Sequence, residues 1–167
     1  GPGRSYFISG RGGIRLYDGE TGTISMAVDG LPIGEDNFAD LAIPKQPGGP
    51  VLALSASGII YQFDGISMSW SQIFDSGSAD EYGDIEFTNN FDPAATAGPQ
   101  QTIAAVINSR LFLSEDGGQT WTLSSQFFTT PPSTSDWAVS TIGFTQLVPS
   151  CFITSGATAL KKSNMNT

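Results

Sequence analysis

The chain of 167 residues is strongly acidic, with 16 Asp and Glu against 7 Lys and Arg, a net charge of −9 and no histidine. Such a charge argues against nucleic acid and against anionic membrane surfaces as partners. The lack of histidine excludes imidazole-dependent nucleophile pairs and histidine-containing zinc sites, and no apolar run approaches the roughly 18 residues of a membrane-spanning helix.

Strand-forming residues dominate the apolar runs, which recur along the chain. Four stretches read as strand, small-residue turn, strand and polar turn. They lie at residues 5–28, 51–74, 102–125 and 150–167. In the first three, a further strand follows the polar turn. An additional strand is predicted ahead of each of the last three stretches, within residues 35–43, 79–87 and 135–144. The predicted sheets therefore contain three, four, four and three strands.

The length of the repeat indicates the fold. Equivalent aspartates, Asp18, Asp64 and Asp116, recur at intervals of about 50 residues, close to the roughly 40–50 residues of a propeller blade. We predict an all-β, β-propeller-like fold with about four repeats of antiparallel four-stranded blades, as a partial or small propeller. A single domain is expected over residues 4–167, after a remnant of a cleaved tag at residues 1–3, with repeats at about 4–30, 35–76, 79–125 and 135–167.

Residues 114–121 carry the sequence SEDGGQTW, which resembles the Asp-box, or bacterial neuraminidase repeat, with its pattern Ser-x-Asp-x-Gly-x-Thr-Trp. All five specified positions match, at Ser114, Asp116, Gly118, Thr120 and Trp121. The carboxylate of Asp116 is predicted to accept hydrogen bonds from its own turn, and the ring of Trp121 to fill the gap between neighbouring sheets. The motif is therefore interpreted as a structural turn.

The resemblance implies a propeller of the kind found in sialidases, sortilin-type receptors and photosystem assembly factors. Sialidases hold the substrate carboxylate with three arginines from different blades, whereas Arg4, Arg11 and Arg15 all fall in the first repeat here. We therefore predict a non-catalytic, secreted or surface-displayed module that binds a glycan or a protein. The alternatives are a fragment of a larger sialidase-like or other glycoside hydrolase propeller, and an assembly or scaffold factor.

Candidate ligand-contact residues lie near the first strand of successive blades. Aromatic rings there can stack on sugar faces while neighbouring acids bond the hydroxyl groups. The predicted binding residues are Phe38, Asp40, Tyr82, Asp84 and Trp137. Carboxylates in the same loops form a weaker calcium hypothesis, at Asp36, Asp40, Asp80 and Asp84, because oxygen ligands suit this cation. No other metal or cofactor is predicted.

The connections between strands form the predicted binding surface. Residues 88–101 and 127–136 read as insertions, and residues 43–50 are a shorter connection equivalent to the first. Loops on one face of a rigid scaffold commonly carry function. Because an open arc of blades exposes its end faces, we also predict a piece of a longer propeller or a homo-oligomer. Apolar residues near those ends are Ile14, Leu16, Leu147 and Phe152.

Overall fold

A computed structural model describes residues 5–79, 83–96, 98–108, 110–126, 139–144, 150–155 and 160–164. These residues form fourteen strands and one short 3-10 helix, Pro99–Gln101. The strands are β1 (Ser5–Ile8), β2 (Arg15–Asp18), β3 (Thr23–Met26), β4 (Phe38–Ala42), β5 (Val51–Ser55), β6 (Ile59–Asp64), β7 (Ser69–Asp75), β8 (Asp84–Phe87), β9 (Ile103–Ile107), β10 (Arg110–Ser114), β11 (Thr122–Gln126), β12 (Val139–Phe144), β13 (Ser150–Ser155) and β14 (Leu160–Asn164). Within the described ranges, no helix is long and apolar enough to cross a membrane.

The strands form four antiparallel sheets in which each strand pairs with its neighbour along the chain. Sheet 1 contains β1–β3, sheet 2 contains β4–β7, sheet 3 contains β8–β11 and sheet 4 contains β12–β14. The first strands of sheets 2, 3 and 4 lie beside one another, with β8 contacting both β4 and β12. The predicted all-β, propeller-like fold is confirmed, and so is the predicted number of strands in each sheet.

The antiparallel order places the connections at two opposite ends of the sheets. The connections after β4 and β8 and the hairpin turns after β2, β6 and β10 share one end, which we call the loop end. Two hydrogen bonds join the connection after β8 to the turn after β10. The Gly117 N–H donates to the Gln101 carbonyl at 3.0 Å, and the Gly98 N–H donates to the Glu115 carbonyl at 3.1 Å. The loop end therefore combines two of the predicted surface connections, residues 43–50 and 88–101, with the Asp-box turn.

Sheet 2 is buried on both faces. Along β5 the side chains alternate: Ala53 packs in the core shared with sheet 1, while Leu52 and Leu54 pack in the core shared with sheet 3. This alternation is the period-2 geometry of a strand. The buried indole N–H of Trp70 also donates to the Ala27 carbonyl of sheet 1 at 2.9 Å. Apolar packing and a cross-sheet hydrogen bond together hold these sheets side by side.

The exposed apolar residues of sheet 1 differ from those predicted. Ile14 is fully buried between sheets 1 and 2, so it is a core residue and is not available to a partner. Ile8 and Met26 are exposed instead, and both pair with Arg15 in the strand register, which places them on one face of the sheet. Leu16 is half-buried, and Leu147 and the side chain of Phe152 lie outside the described residues.

Candidate functional site

Two predicted site residues from different sheets meet at the first strands. Asp84 in β8 lies close enough to Asp40 in β4 to help raise the pKa of Asp40 through a side-chain hydrogen bond and through its charge. The Ile85 N–H donates to Oδ2 of Asp40 at 3.0 Å. These contacts join sheet 2 to sheet 3 through polar groups where most of the surrounding contacts are apolar.

A β-bulge directs Asp40 toward sheet 3. The register of β4 against β5 shifts between Phe38 and Asp40. Phe38 packs in the core shared with sheet 1, whereas Ala39 and Ala42 pack in the core shared with sheet 3. In a regular strand, side chains two residues apart share a face, so Asp40 would lie on the same side as Phe38. The extra residue of the bulge places Asp40 beside β8 instead.

The environment of Asp40 disfavours its charged form. Burial first, and then the hydrogen bond with Asp84, raise the pKa of Asp40 to about 7. Two carboxyl groups in contact cannot both ionise without strong mutual repulsion. Asp40 therefore retains its proton at pH values where an ordinary aspartate has lost it.

The calcium hypothesis stays a prediction. In the described part of the chain, no three His, Cys, Asp or Glu side chains group closely enough to hold a metal ion. Asp36 is exposed, and its backbone carbonyl accepts hydrogen bonds from the Gly12 and Gly13 N–H groups at 2.8 and 2.6 Å. Asp40 accepts a hydrogen bond from the Ile85 N–H, and Asp80 lies outside the described residues.

Of the three predicted aromatic contacts, the structure describes Phe38. Phe38 is 4% exposed and packs against Tyr61 with ring centroids 6.3 Å apart. It is therefore a core residue, and the prediction that its ring contacts a ligand is wrong. Tyr82 and Trp137 lie outside the described residues, so their role stays a prediction.

The Asp-box turn is closed by its own side chains. Oδ1 of Asp116 accepts hydrogen bonds from the Ser114 hydroxyl at 2.8 Å and from the Thr120 N–H at 2.9 Å, while Oδ2 accepts from the Thr120 hydroxyl. The Ser114 hydroxyl oxygen accepts from the Gly118 N–H at 2.8 Å, and the Trp121 indole donates to the Gly118 carbonyl at 3.1 Å. Every specified residue of the motif thus has a partner within the turn.

The Trp121 ring connects this turn to sheet 2. It stacks on Phe74 of β7 with ring centroids 5.3 Å apart and an interplanar angle of 29°. Both side chains are partly buried and pack against the core between sheets 2 and 3. The turn is therefore a structural element that joins two sheets.

The incomplete copies of the motif use their aspartates in a related way. Oδ1 of Asp18 accepts from the Glu20 N–H at 2.8 Å, and Oδ1 of Asp64 accepts from the Ile66 N–H at 2.9 Å. In each turn the second carboxylate oxygen accepts from a hydroxyl three residues on, at Thr21 and Ser67. The aspartate cap is thus present in all three hairpins, although the first has no tryptophan and Trp70 lies six residues after its aspartate, where Trp121 lies five after Asp116.

We predict that Asp116→Ala lowers the free energy of unfolding by about 1–3 kcal/mol, because three hydrogen bonds to a charged group are lost. Burial acts to raise the pKa of Asp116, but hydrogen bonds from Thr120 and Ser114 outweigh it and hold the pKa below its ordinary value. The contribution is therefore present above the ordinary aspartate range and disappears as the pH falls through the lowered pKa.

Urea unfolding at pH 7 and pH 3 measures this effect. The exposed neighbour Glu115 provides the control, and Glu115→Ala is expected to change stability by less than about 0.5 kcal/mol. Equal effects of the two substitutions at pH 7 would contradict the assigned role of Asp116.

The connection between β8 and β9 is an ordered loop. The Asp92 N–H donates to the Gln100 carbonyl at 2.8 Å, and the Gln101 side-chain amide donates to the Asp92 carbonyl. Phe91 is buried against Phe87 with ring centroids 4.5 Å apart, which anchors the loop in the core. Together with its bonds to the Asp-box turn, this ties the described residues of the connection, 88–96 and 98–102, to the loop end.

Aliphatic side chains project from sheet 2 at the loop end. Ile66 at the tip of the β6–β7 hairpin is 97% exposed, and Met68 and Ile43 are also exposed. Where burial is described, the exposed large apolar side chains are aliphatic or methionine, and none is aromatic. These residues therefore expose aliphatic side chains and no aromatic face on which a sugar could stack. The sequence had singled out the connection at residues 43–50, which contains Ile43, but not the β6–β7 hairpin that carries Ile66 and Met68.

No protein-family model matches this chain, and no curated protein does. Among similar solved structures, the extracellular domain of a one-component system from B. thetaiotaomicron is 11% identical with a TM-score of 0.61, over 98% of this chain and 20% of that chain. YCF48 bound to D1 peptide is 18% identical with a TM-score of 0.39, over 99% of this chain and 63% of that chain. This chain thus spans about a fifth of the length of the first of these proteins. The first similarity extends to the fold, and it agrees with an all-β, propeller-like chain.

Proposed function

We propose that this chain is a non-catalytic propeller module of the Asp-box type that binds a protein segment through its loop end. The observation that carries the proposal is the set of exposed aliphatic side chains, Ile43, Ile66 and Met68, at the ends of sheet 2. Ile43 lies in the connection after β4, and Ile66 and Met68 lie in the turn after β6. These two segments are about two strand spacings apart, or roughly 10 Å. Exposed apolar groups bordered by polar loops are typical of protein-binding surfaces.

Rigidity of the neighbouring loop favours recognition. The described residues of this connection, 88–96 and 98–102, are held by internal hydrogen bonds, by buried Phe91 and by the Asp-box turn. A binding surface that is already ordered loses little conformational entropy when a partner docks. The loop therefore supplies polar contacts beside the aliphatic tips without having to fold on binding.

A protein partner is favoured over a glycan by the kind of side chain exposed. Sugar binding commonly uses exposed aromatic faces, and the exposed apolar side chains of known burial include no aromatic ring. A glycan site would therefore have to use Tyr82 and Trp137, which lie outside the described residues. A scaffold or assembly role is a protein-binding role, and the same surface would serve it.

A glycoside hydrolase is disfavoured by the geometry of the acids. Two catalytic carboxyl groups need a separation of roughly 5–10 Å to accommodate the glycosidic bond or a water. Asp84 acts on the pKa of Asp40 as a hydrogen-bond partner, which requires a closer approach than that separation. We place the module at the cell surface or outside the cell, in line with its low lysine content and many small polar residues.

Selection of a displayed peptide library against the immobilised chain tests the proposal. We expect peptide binders whose dissociation constant rises at least about tenfold in the double variant Ile66→Ser, Met68→Ser, because two apolar contacts are lost. Ile8→Ser is the matched control, since Ile8 is also exposed but lies in sheet 1. On a glycan array, the same protein is expected to show no binding. Glycan binding, or peptide binding unaffected by the double variant, would overturn the assignment.

A further inference from the structure

Sheet 1 begins with the counterpart of the second strand of sheet 2. Asp18 and Asp64 each cap the turn between the last two strands of their sheets, so β1, β2 and β3 correspond to β5, β6 and β7. In sheets 2 and 3 the second strand is paired on both edges, and one partner is the first strand, β4 or β8. Among the strands that the structure describes, β1 pairs with β2 alone. Its other edge therefore lies open where the neighbouring sheets have a first strand.

The open edge of β1 presents the backbone polar groups of Phe7. The Ala27 N–H donates to the Ile14 carbonyl at 2.9 Å, so Ile14 directs its backbone groups toward β3. Successive residues of an antiparallel strand direct these groups to opposite edges, which turns those of Arg15 toward β1 and its partner Ile8. The backbone of Ile8 is therefore bonded within the sheet, whereas the N–H and C=O of Phe7 point to the open edge. Such groups form a template for pairing with a further strand.

Apolar side chains near this edge are less buried than their counterparts near a complete one. Phe7 and Leu52 hold the same register position in β1 and β5. Leu52, beside β4, is fully buried, whereas Phe7 is half-buried. Leu41 of β4 and Ile85 of β8 are likewise equivalent: Ile85 packs toward sheet 2 and is fully buried, while Leu41 packs toward sheet 1 and is half-buried. A strand paired with β1 would lie against β4, as β4 lies against β8, and would cover both side chains.

Contacts at the end opposite to the loop end fix sheet 1 beside β4. Arg11, in the connection between β1 and β2, forms an antiparallel bridge with Asn37, which directly precedes β4. The Gly12 and Gly13 N–H groups donate to the Asp36 carbonyl at 2.8 and 2.6 Å. The two sides of the open position are thus connected before any partner arrives, so little conformational entropy of this chain is lost when one docks.

We propose that an extended segment of another polypeptide adds to β1 as the first strand of sheet 1. It runs antiparallel to β1, as β4 runs to β5, and its place continues the row of first strands β4, β8 and β12. Backbone hydrogen bonds to Phe7 hold it, which is the strand-addition mode of peptide recognition. In sheet 2 the residue opposite Leu52 is Ala42, so a segment with a small apolar side chain at that point fits beside Phe7. The site is separate from the loop-end surface.

A capped synthetic peptide with the sequence of residues 36–43, DNFADLAI, tests the site, because this segment fills the equivalent place in sheet 2. We expect calorimetric titration to show that it binds the whole chain. Ala42 pairs with Leu52, the counterpart of Phe7, so its N–H is directed to the second strand. A methyl group on that peptide nitrogen is expected to raise the dissociation constant about tenfold or more, because it removes a hydrogen bond and forces the strands apart. The matched control is the same methyl group on the nitrogen of Leu41 in the peptide, which points away from β1 and is expected to change the constant less than about threefold.

Amide hydrogen exchange locates the bound peptide on the chain. Saturating peptide is expected to slow exchange of the Phe7 amide about tenfold or more, and to leave the Ile8 amide, already bonded to β2, nearly unchanged. The double variant Ile66→Ser, Met68→Ser is expected to bind this peptide as the wild type does, which separates the site from the loop-end surface. Absence of binding, equal effects of the two methyl groups, unchanged exchange at Phe7 or weaker binding by the double variant would each overturn the proposal.

Discussion

Replacing Gly30 with alanine is expected to lower the free energy of unfolding by about 3–5 kcal/mol, since it combines backbone strain with a steric clash. Gly30 has a φ of +85°, and a Cβ atom there would lie 2.0 Å from the Trp70 carbonyl oxygen. Trp70 cannot retreat easily, because its backbone N–H donates to the Asp29 carbonyl at 2.7 Å and its indole donates to Ala27. The substitution therefore forces sheet 1 away from sheet 2.

Gly34→Ala is the matched control for this experiment. Gly34 has a φ of +90° and no neighbouring atom within 4 Å of its Cβ position, so it bears the backbone strain without the clash. We expect it to cost about 1–2 kcal/mol. Urea unfolding followed by tryptophan fluorescence measures both variants. Equal losses at the two glycines would show that the contact between Gly30 and Trp70 does not restrict the packing of these sheets.

Leu54→Ala is expected to lower the free energy of unfolding by about 2–5 kcal/mol, because it opens a cavity in a fully packed core. Leu54 is 0% exposed and lies in the cluster that joins sheets 2 and 3. Its Cδ2 atom also approaches Gly83, where a Cβ would lie 2.7 Å away, so the chain ahead of β8 rests directly on this side chain. Collapse of the cavity is hindered because β5 is paired on both edges.

The same substitution at a half-exposed position separates the cavity from a loss of strand propensity. Leu123 in β11 is 47% exposed, and Leu123→Ala is expected to cost about 1 kcal/mol or less. Both variants are compared by thermal and urea unfolding at the same pH. A loss at Leu54 no larger than that at Leu123 would mean that sheets 2 and 3 are not packed as described.

Local sequence was sufficient to predict the hairpins. The Asp-box turn closes through hydrogen bonds that span at most four residues, from Ser114 to Gly118 and from Asp116 to Thr120. Such bonds depend on little beyond the residues that make them. The same holds for the strand numbers of the four sheets, because each strand pairs with its neighbour along the chain and the turns between them are short. Repetition of one local pattern therefore determined the propeller-like fold.

Residue roles at the first strands were predicted less well, because a bulge alters which face a side chain occupies. Phe38 and Asp40 are two residues apart and were expected together at a ligand site. The irregularity between them sends Phe38 into the core with sheet 1 and Asp40 toward sheet 3. A single extra residue reverses the alternation of a strand. No pattern in the sequence around these residues indicated where the bulge would fall.

The sequence by itself determined the class of fold, the number of strands in each sheet and the turns that join them, since these depend on contacts between neighbours along the chain. Only the tertiary structure decided which groups from different sheets meet. Asp40 reaches Ile85 across 45 residues, and Trp70 reaches Ala27 across 43. The physical reason is that such contacts depend on how whole sheets pack, to which every core residue contributes and no short segment alone decides.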